Sequence, residues 1–213
     1  LNVKICGSSA GLSDFGDGAT HQAIEDMAIM RAIPNMTVLC PADANETVGA
    51  VKAMVEMQGP CYIRLNRNEY ENVTEEHEPF VIGQPKVMRE GHDVAVLATG
   101  YMVRLALKAA ESLRDQISVK VINISTIKPL NREKLIELTK GVRGIVTAEE
   151  HSVVGGLGSA VSEAMRRECV PIEYVGVEDT FGCSAHDYQH LLWHYGLTEE
   201  HIIETIKNVM GGR

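Results

Sequence analysis

Gly16-Asp17-Gly18-Ala19-Thr20-His21-Gln22, running into Ala23-Ile24-Glu25-Asp26, sets a carboxylate and an imidazole four residues apart on a glycine-rich turn that opens a helix. Gly16 and Gly18 allow turn conformations that a Cβ forbids. Thr20 is the expected N-cap, and Glu25 and Asp26 put negative charge into the first turns of the helix that follows. Such a turn points Asp17 and His21 out of the scaffold, where they suit proton transfer or a grip on a substrate. On its own, the Asp-x-x-x-His spacing reads more simply as a capped helix start with a surface histidine.

Outward from this turn, strands and helices alternate. Val3 to Ile5 is a short apolar segment closed by Gly7-Ser8-Ser9. Residues 22–32 carry helical spacing, and Pro34 follows the stop. Thr37 to Cys40 reads as a strand ended by Pro41, and Asp43 with Glu46 resembles a capping box. A helix over about 44–57 follows, with Val48, Val51, Met54 and Val55 as its apolar stripe. Gly59-Pro60 breaks it, and Cys61 to Leu65 is a strand. The alternation predicts an α/β fold with mostly parallel sheets covered by helices.

Residues 66–93 change character. Asn68-Glu69-Tyr70-Glu71-Asn72 and Glu75-Glu76-His77-Glu78-Pro79 are polar and acidic, which marks a linker with a boundary near residue 78. Two units follow from this, 1–78 and 79–213. The second is expected to open with a short strand near Phe80 to Lys86. Asp93 to Ala98 then has the continuous apolar character of a buried parallel strand. Helix 102–114, strand 117–124, the turn Lys128-Pro129-Leu130, helix 131–139, strand 143–148, helix 157–167 and strand 172–177 come next. Helices near 186–194 and 199–209 close the chain, the last started by Thr198.

Composition narrows the function. The chain has 213 residues, 45% of them hydrophobic, enough for a sizeable core. Net charge is −9, with 29 acidic against 20 basic residues and no basic run, which argues against a nucleic-acid partner. No apolar stretch approaches the roughly 20 residues that span a bilayer, so no membrane association is expected. No signal peptide is visible, and a chain that starts with a leucine leading into a strand looks like the middle of something longer. Five scattered cysteines, Cys6, Cys40, Cys61, Cys169 and Cys183, with no Cys-x-x-Cys, point to reduced and mostly buried thiols in a cytoplasmic protein.

Three linked motifs carry a specific likeness. Gly16-Asp17-Gly18-x-Thr20-His21-Gln22, then Arg31-x-Ile33-Pro34-Asn35-Met36, then Pro41-Ala42-Asp43-x-x-Glu46-Thr47 closely resemble the pyrimidine-binding domain of transketolases. The resemblance continues through Gly59-Pro60-Cys61-Tyr62-Ile63-Arg64 and Arg67 into the C-terminal domain of that family, and covers essentially the whole chain. It implies transfer of a two-carbon ketol unit between sugar phosphates with thiamine diphosphate and Mg2+, as in the pentose phosphate pathway. It also implies that Asp17 and His21 face the donor sugar, where hydroxyls need fixed donors and acceptors. Arg67 matches an arginine that grips the substrate phosphate, a task suited to a planar guanidinium. At Ser9, twelve residues before His21, many transketolases carry a phosphate-binding histidine. A serine there still donates a hydrogen bond but brings no positive charge.

Other clusters read as structural. Gly155-Gly156-Leu157-Gly158 after Glu149-Glu150-His151 could cradle an anion at a helix start, but it matches no dinucleotide or P-loop pattern and reads as a tight strand-to-helix turn. His186, His190 and His194 share one helix face without the companions a metal site needs.

The family's cofactor residues are not found. No Asn-Asn follows Gly16-Asp17-Gly18 at the distance of a diphosphate and metal motif. The glutamate that activates thiamine, and the aromatic ring that stacks on its pyrimidine, lie further upstream in the family than the 15 residues before Gly16. The resemblance therefore implies a late part of a pyrimidine domain plus a C-terminal domain. Such a chain is inert alone and works with an N-terminal transketolase section, as a homo- or hetero-oligomer joined through apolar faces. Sibling readings on the same scaffold are a 1-deoxyxylulose-5-phosphate synthase-like or 2-oxoacid dehydrogenase β-like part. The Arg-x-Ile-Pro-Asn-Met segment and Arg64-Leu65-Asn66-Arg67 look more like transketolase. A reading from another class is a non-catalytic transketolase-like subunit, against which Asp17 and His21 speak and for which Ser9 speaks.

Overall fold

Short apolar strands separated by helices can bury both faces only if they pair side by side, and they do so in two sheets. The computed structural model describes residues 1–211. In the first part β1 (Lys4–Gly7), β2 (Thr37–Leu39) and β3 (Cys61–Arg64) alternate with α1 (Asp26–Ala32) and α2 (Ala44–Glu56). The second part holds the strands β4 (Lys86–Arg89), β5 (Val94–Ala98), β6 (Val119–Asn123), β7 (Thr126–Lys128), β8 (Gly144–Ser152) and β9 (Ile172–Val177). Its helices are α3 (Met102–Ser112), α4 (Arg132–Leu138), α5 (Leu157–Met165), α6 (Tyr188–His194) and α7 (Glu199–Gly211).

The strand order is β1-β3-β2-β7 in one sheet and β4-β6-β5-β8-β9 in the other. All neighbours are parallel except β2–β7 and β4–β6. The α/β architecture with mostly parallel sheets is therefore as expected. β7 reaches from the second part of the chain to become the edge strand of the first sheet.

Period-two alternation explains the core. On β5, Val94, Val96 and Ala98 join Val103, Ala106 and Ala110 of α3 and Ile202 and Ile206 of α7. Ala95 and Leu97 face the other way, with Leu135 of α4 and Leu157 and Val161 of α5. That second layer also takes Met27, Val38, Cys40 and Tyr62 from the first part, so the two sheets share one apolar core. Glu46 reinforces the joint, accepting hydrogen bonds from Asn123 Nδ2 at 2.9 Å and Ser125 Oγ at 2.6 Å.

Several local expectations need correction. Thr20 caps no α-helix: Gly18–Thr20 is a single 3-10 turn, and α1 starts only at Asp26. Residues 22–25 are drawn off by other partners. Ala23 pairs with Gly11 across the loop, and Gln22 Nε2 donates to the Asp14 and Cys183 carbonyls.

On α2, Val48, Val51 and Val55 are exposed, and Ala50 and Met54 are the residues buried against Leu39, Cys61 and Ile63. Residues 80–85 form no strand; Phe80 and Ile82 instead pack on that cluster, and pairing starts at Lys86. Only Cys40 and Cys61 are buried, while Cys6 and Cys169 are exposed. Among the described residues no helix is long and apolar enough to cross a membrane.

Candidate functional site

The stretch between β1 and α1 is a surface loop closed at its base. Ser9 stands at its entry with φ 58°, an uncommon left-handed conformation for a residue with a side chain. The Ala10 amide bonds the Leu65 carbonyl at 3.0 Å, and Gly11 and Ala23 exchange hydrogen bonds at 2.8 and 3.2 Å. Gly11 has φ +68°, and a Cβ there would collide with the Glu150 carboxylate. Leu12 and Ile24, one on each limb, are buried in the core of the second sheet beside Tyr188 and Leu191. Between those anchors Asp17 and His21 are exposed. His21 Nδ1 lies 2.9 Å from the Thr20 hydroxyl.

The C-terminal end of β3 delivers a cation to the same loop. Arg67 is half exposed, and its Nη1 bonds the Asp14 carboxylate at 2.7 Å. Asn66 Oδ1 takes the Asn68 amide at 2.8 Å, and Asn68 Nδ2 donates to the Ser13 carbonyl at 3.1 Å. The backbone on both sides of Arg67 is therefore fixed. A cleft of about 510 Å³ opens beside this strand end, lined in part by Pro41, Thr47, Leu65, Asn66, Asn68 and Tyr70, with Ser9, Asp17, His21 and Arg67 outside its lining. Crevices at the carboxyl ends of parallel strands are where open α/β sheets take ligands. Asp17 and His21 thus share one turn, while Ser9 and, through Asp14, Arg67 belong to the limb that leads into it.

Beneath the loop lies a buried polar layer that local sequence reasoning missed. Arg64 forks onto Asp26 at 2.9 and 3.0 Å and donates to the carbonyls of Ala23 and Glu150, each at 3.0 Å. Burial alone would raise the Asp26 carboxyl, but the charge and hydrogen bonds of Arg64 and the Tyr62 hydroxyl outweigh it and hold it below its ordinary value. His151 Nε2 accepts the Met27 and Ala28 amides at 3.1 and 3.3 Å, at the start of α1. Its Nδ1 faces the Ser152 carbonyl at 2.7 Å, which fixes the tautomer with the proton on Nδ1. Burial and then the Arg64 charge push the imidazole down to about 4, so it is a neutral acceptor.

Glu149 fills the α5 N-terminus itself. Its carboxylate takes the Leu157 and Gly158 amides at 2.6 and 2.8 Å, while burial pushes the group up to about 7. The glycine turn at 155–158 thus binds the chain's own carboxylate. The signal that could have exposed this layer is Glu149-Glu150-His151 continuing an apolar strand run, since β8 extends to Ser152. Among the described residues no three His, Cys, Asp or Glu side chains converge as a metal site. His190 bonds Asp187, the N-cap of α6, and stacks on His186 at an exposed face.

Comparison with known proteins agrees with this architecture. The family model described as the transketolase pyrimidine binding domain matches residues 1–73, and that of the transketolase C-terminal domain matches residues 83–202. The chain belongs to the transketolase family. It is 42% identical, over 98% of its length, to the 6-deoxy-6-sulfo-D-fructose transketolase subunit SqwH of a Clostridium species, covering 65% of that protein. It is 41% identical, over 99% of its length, to a putative transketolase C-terminal section of Methanocaldococcus jannaschii, covering 67% of it. The chain thus spans about two thirds of these transketolase relatives.

A solved structure of a split-gene transketolase, an inactive β4 tetramer, superposes with a TM-score of 0.88 at 41% identity, over 99% of this chain and 67% of that one. The transketolase of Campylobacter jejuni shares the fold, with a TM-score of 0.76 at 22% identity, over 96% of this chain and 31% of that one.

Proposed function

We propose that this chain is the C-terminal section of a two-part transketolase, moving a two-carbon ketol unit between sugar phosphates only together with an N-terminal section. The reading divides it at residue 78 into the end of a pyrimidine-binding domain and a C-terminal domain, and places the assembly in the cytoplasm. One observation carries the proposal: Asp17 and His21 are exposed on a turn whose base is locked into two sheets and whose leading limb holds the cation Arg67 through Asp14. Its likeness to relatives that are separate subunits or sections supports the two-part arrangement. Its likeness to the β4 tetramer described as inactive supports the view that this section does not work alone.

Thiamine diphosphate, when bound, supplies the carbon nucleophile of such a transfer. Its diphosphate travels with a divalent cation that takes several oxygen ligands. The described residues do not fit that group, because no three candidate ligands converge and Asp17 stands on an exposed turn. We therefore assign the diphosphate and Mg2+ mainly to the N-terminal section. The work of this chain is to hold the sugar. Asp17 accepts from a sugar hydroxyl, and His21 donates to or accepts from the atoms next to the transferred unit. Arg67 offers the open face of its guanidinium to the substrate phosphate, and Ser9 adds a neutral donor.

His21→Ala in the assembled complex tests the assignment. Ketol transfer is expected to fall on the order of 10²-fold. An unchanged rate would remove His21 from the reaction.

A further inference from the structure

Glu150 stands near the C-terminal end of β8, past its last pair with β5, and its carboxylate serves the sugar-facing loop of the first part. Oε1 accepts the Leu12 amide at 2.6 Å. Oε2 accepts Asn66 Nδ2 at 3.0 Å and the Tyr188 hydroxyl at 2.7 Å. The side chain is buried, and its backbone carbonyl holds Arg64 at 3.0 Å. A buried carboxyl that faces three donors is thus placed where the Leu12 limb of the loop meets the residue preceding Arg67. Leu12 and Asn66 come from different elements, and this carboxylate joins them directly from below, where the Ala10–Leu65, Asn68–Ser13 and Arg67–Asp14 bonds join their neighbours. The Asp17–His21 turn and the Arg67 guanidinium must face one substrate at once, so their spacing matters as much as their presence.

We propose that Glu150 is a positioning residue for the sugar-facing site, its carboxylate clamping the Leu12 limb of the loop to Asn66 so that His21 and Arg67 are held in register. The inference rests on the proposed role of that loop. It gives the C-terminal domain a task in substrate binding, performed from β8 through one buried side chain.

The chemistry of the clamp supplies its own test. Glu150→Gln retains an oxygen for the Leu12 amide but turns an NH2 group toward Asn66 Nδ2, so donor meets donor. Adding Asn66→Asp reverses the polarity: Asp Oδ2 accepts from Gln Nε2, and Oδ1 still accepts the Asn68 amide. Leaving a buried donor without its acceptor reads as roughly ten- to a hundredfold in an equilibrium constant.

In the complex with the N-terminal section, Glu150→Gln is expected to raise KM for the sugar phosphate about tenfold or more, with kcat changed less. The double variant is expected to restore KM to within about threefold. In this chain alone, amide hydrogen exchange is expected to quicken over residues 8–25 and 64–68 in Glu150→Gln, and to slow again in the double variant.

A variant that folds as the parent with unchanged KM and unchanged Leu12 protection would overturn the proposal. So would a fall in kcat alone that tracks lost folded protein, or exchange that quickens evenly across both sheets. If Glu150→Gln does not fold, the double variant carries the test, and its failure to recover the fold and loop protection counts against the clamp. If the parent complex shows no ketol transfer, the transketolase reading fails, while the exchange data still decide whether Glu150 positions the loop.

Discussion

Arg67 carries its guanidinium half out of the surface, with Nη1 on the Asp14 carboxylate at 2.7 Å. The Arg67 end of the pair is open to water while the Asp14 side chain is only 14% exposed, so the pair contributes on the order of 1 kcal/mol and a phosphate competes for the open face of the guanidinium. Arg67→Ala is therefore expected to leave the melting temperature nearly unchanged. In the complex it should raise KM for a phosphorylated sugar on the order of tenfold or more, and leave an unphosphorylated analogue unaffected. Equal losses for both sugars would take Arg67 away from the phosphate.

Deeper in the same region, His151 shows how a buried residue sets a pH limit. Its imidazole falls from 6.5 to about 4 in the fold, so the unfolded chain takes up a proton first as pH drops. The stability it contributes is complete above about pH 6.5 and is lost as pH falls toward 4. Glu149 acts in the opposite sense: it is raised from 4.5 to about 7, so its contribution is complete below pH 4.5 and lost as pH rises through 7. Comparing the parent with His151→Gln isolates the first effect, because the glutamine oxygen replaces Nε2 as acceptor for the α1 amides. The stability advantage of the parent should shrink by up to about 3 kcal/mol between pH 6.5 and 4, read by urea denaturation at each pH. A constant difference would mean that His151 is not a neutral acceptor for the α1 amides.

Elements are held in place by side chains that serve two segments at once, and α2 is the clearest case. Asp43 caps it, accepting the Glu46 amide at 2.9 Å. Its other bonds go to the linker: the Val73 and Thr74 amides, each at 2.7 Å, and the Thr74 hydroxyl at 2.6 Å. Glu46 reaches back to the Ala42 amide at 2.6 Å, one residue earlier than a capping box would place it. One carboxylate thus starts a helix and pins the polar segment after Arg67. Asp43→Ala should cost about 3 kcal/mol or more, beyond the ~1 kcal/mol of a simple cap, with exchange quickened over residues 69–75. A loss within the range of a simple cap would show that the linker bonds contribute nothing.

The same element shows where sequence reading succeeds and where it stops. The cap was legible because Asp43 and Glu46 are three residues apart and speak to each other directly. The buried face was not, because Val48, Val51 and Val55 are the stronger apolar signal while the sheet takes Ala50 and Met54. Hydrophobic periodicity finds an apolar stripe but not what lies opposite it.

At the scale of the whole molecule, alternation of apolar runs with helices was enough for the α/β class, and three spaced motifs were enough for the family. The joint between the two parts was not legible. β7 crosses into the first sheet, and Glu150 bonds residues 84 and 138 positions away. No local pattern marks such pairings; only the strand run continuing through Glu149-Glu150-His151 hints at them. Asp17, His21, Arg67 and Ser9 could be named from the motifs, but the carboxylate that holds their loop to β3 had to be seen in three dimensions.

The measurement that tests the central claim most directly is an assay of ketol transfer. This chain, alone and mixed with the N-terminal section from the same source, would be supplied with thiamine diphosphate, Mg2+ and a pair of sugar phosphates. The two-section reading predicts transfer only in the mixture, and its loss with His21→Ala. Transfer by this chain alone, or none from folded and associated sections, would contradict it.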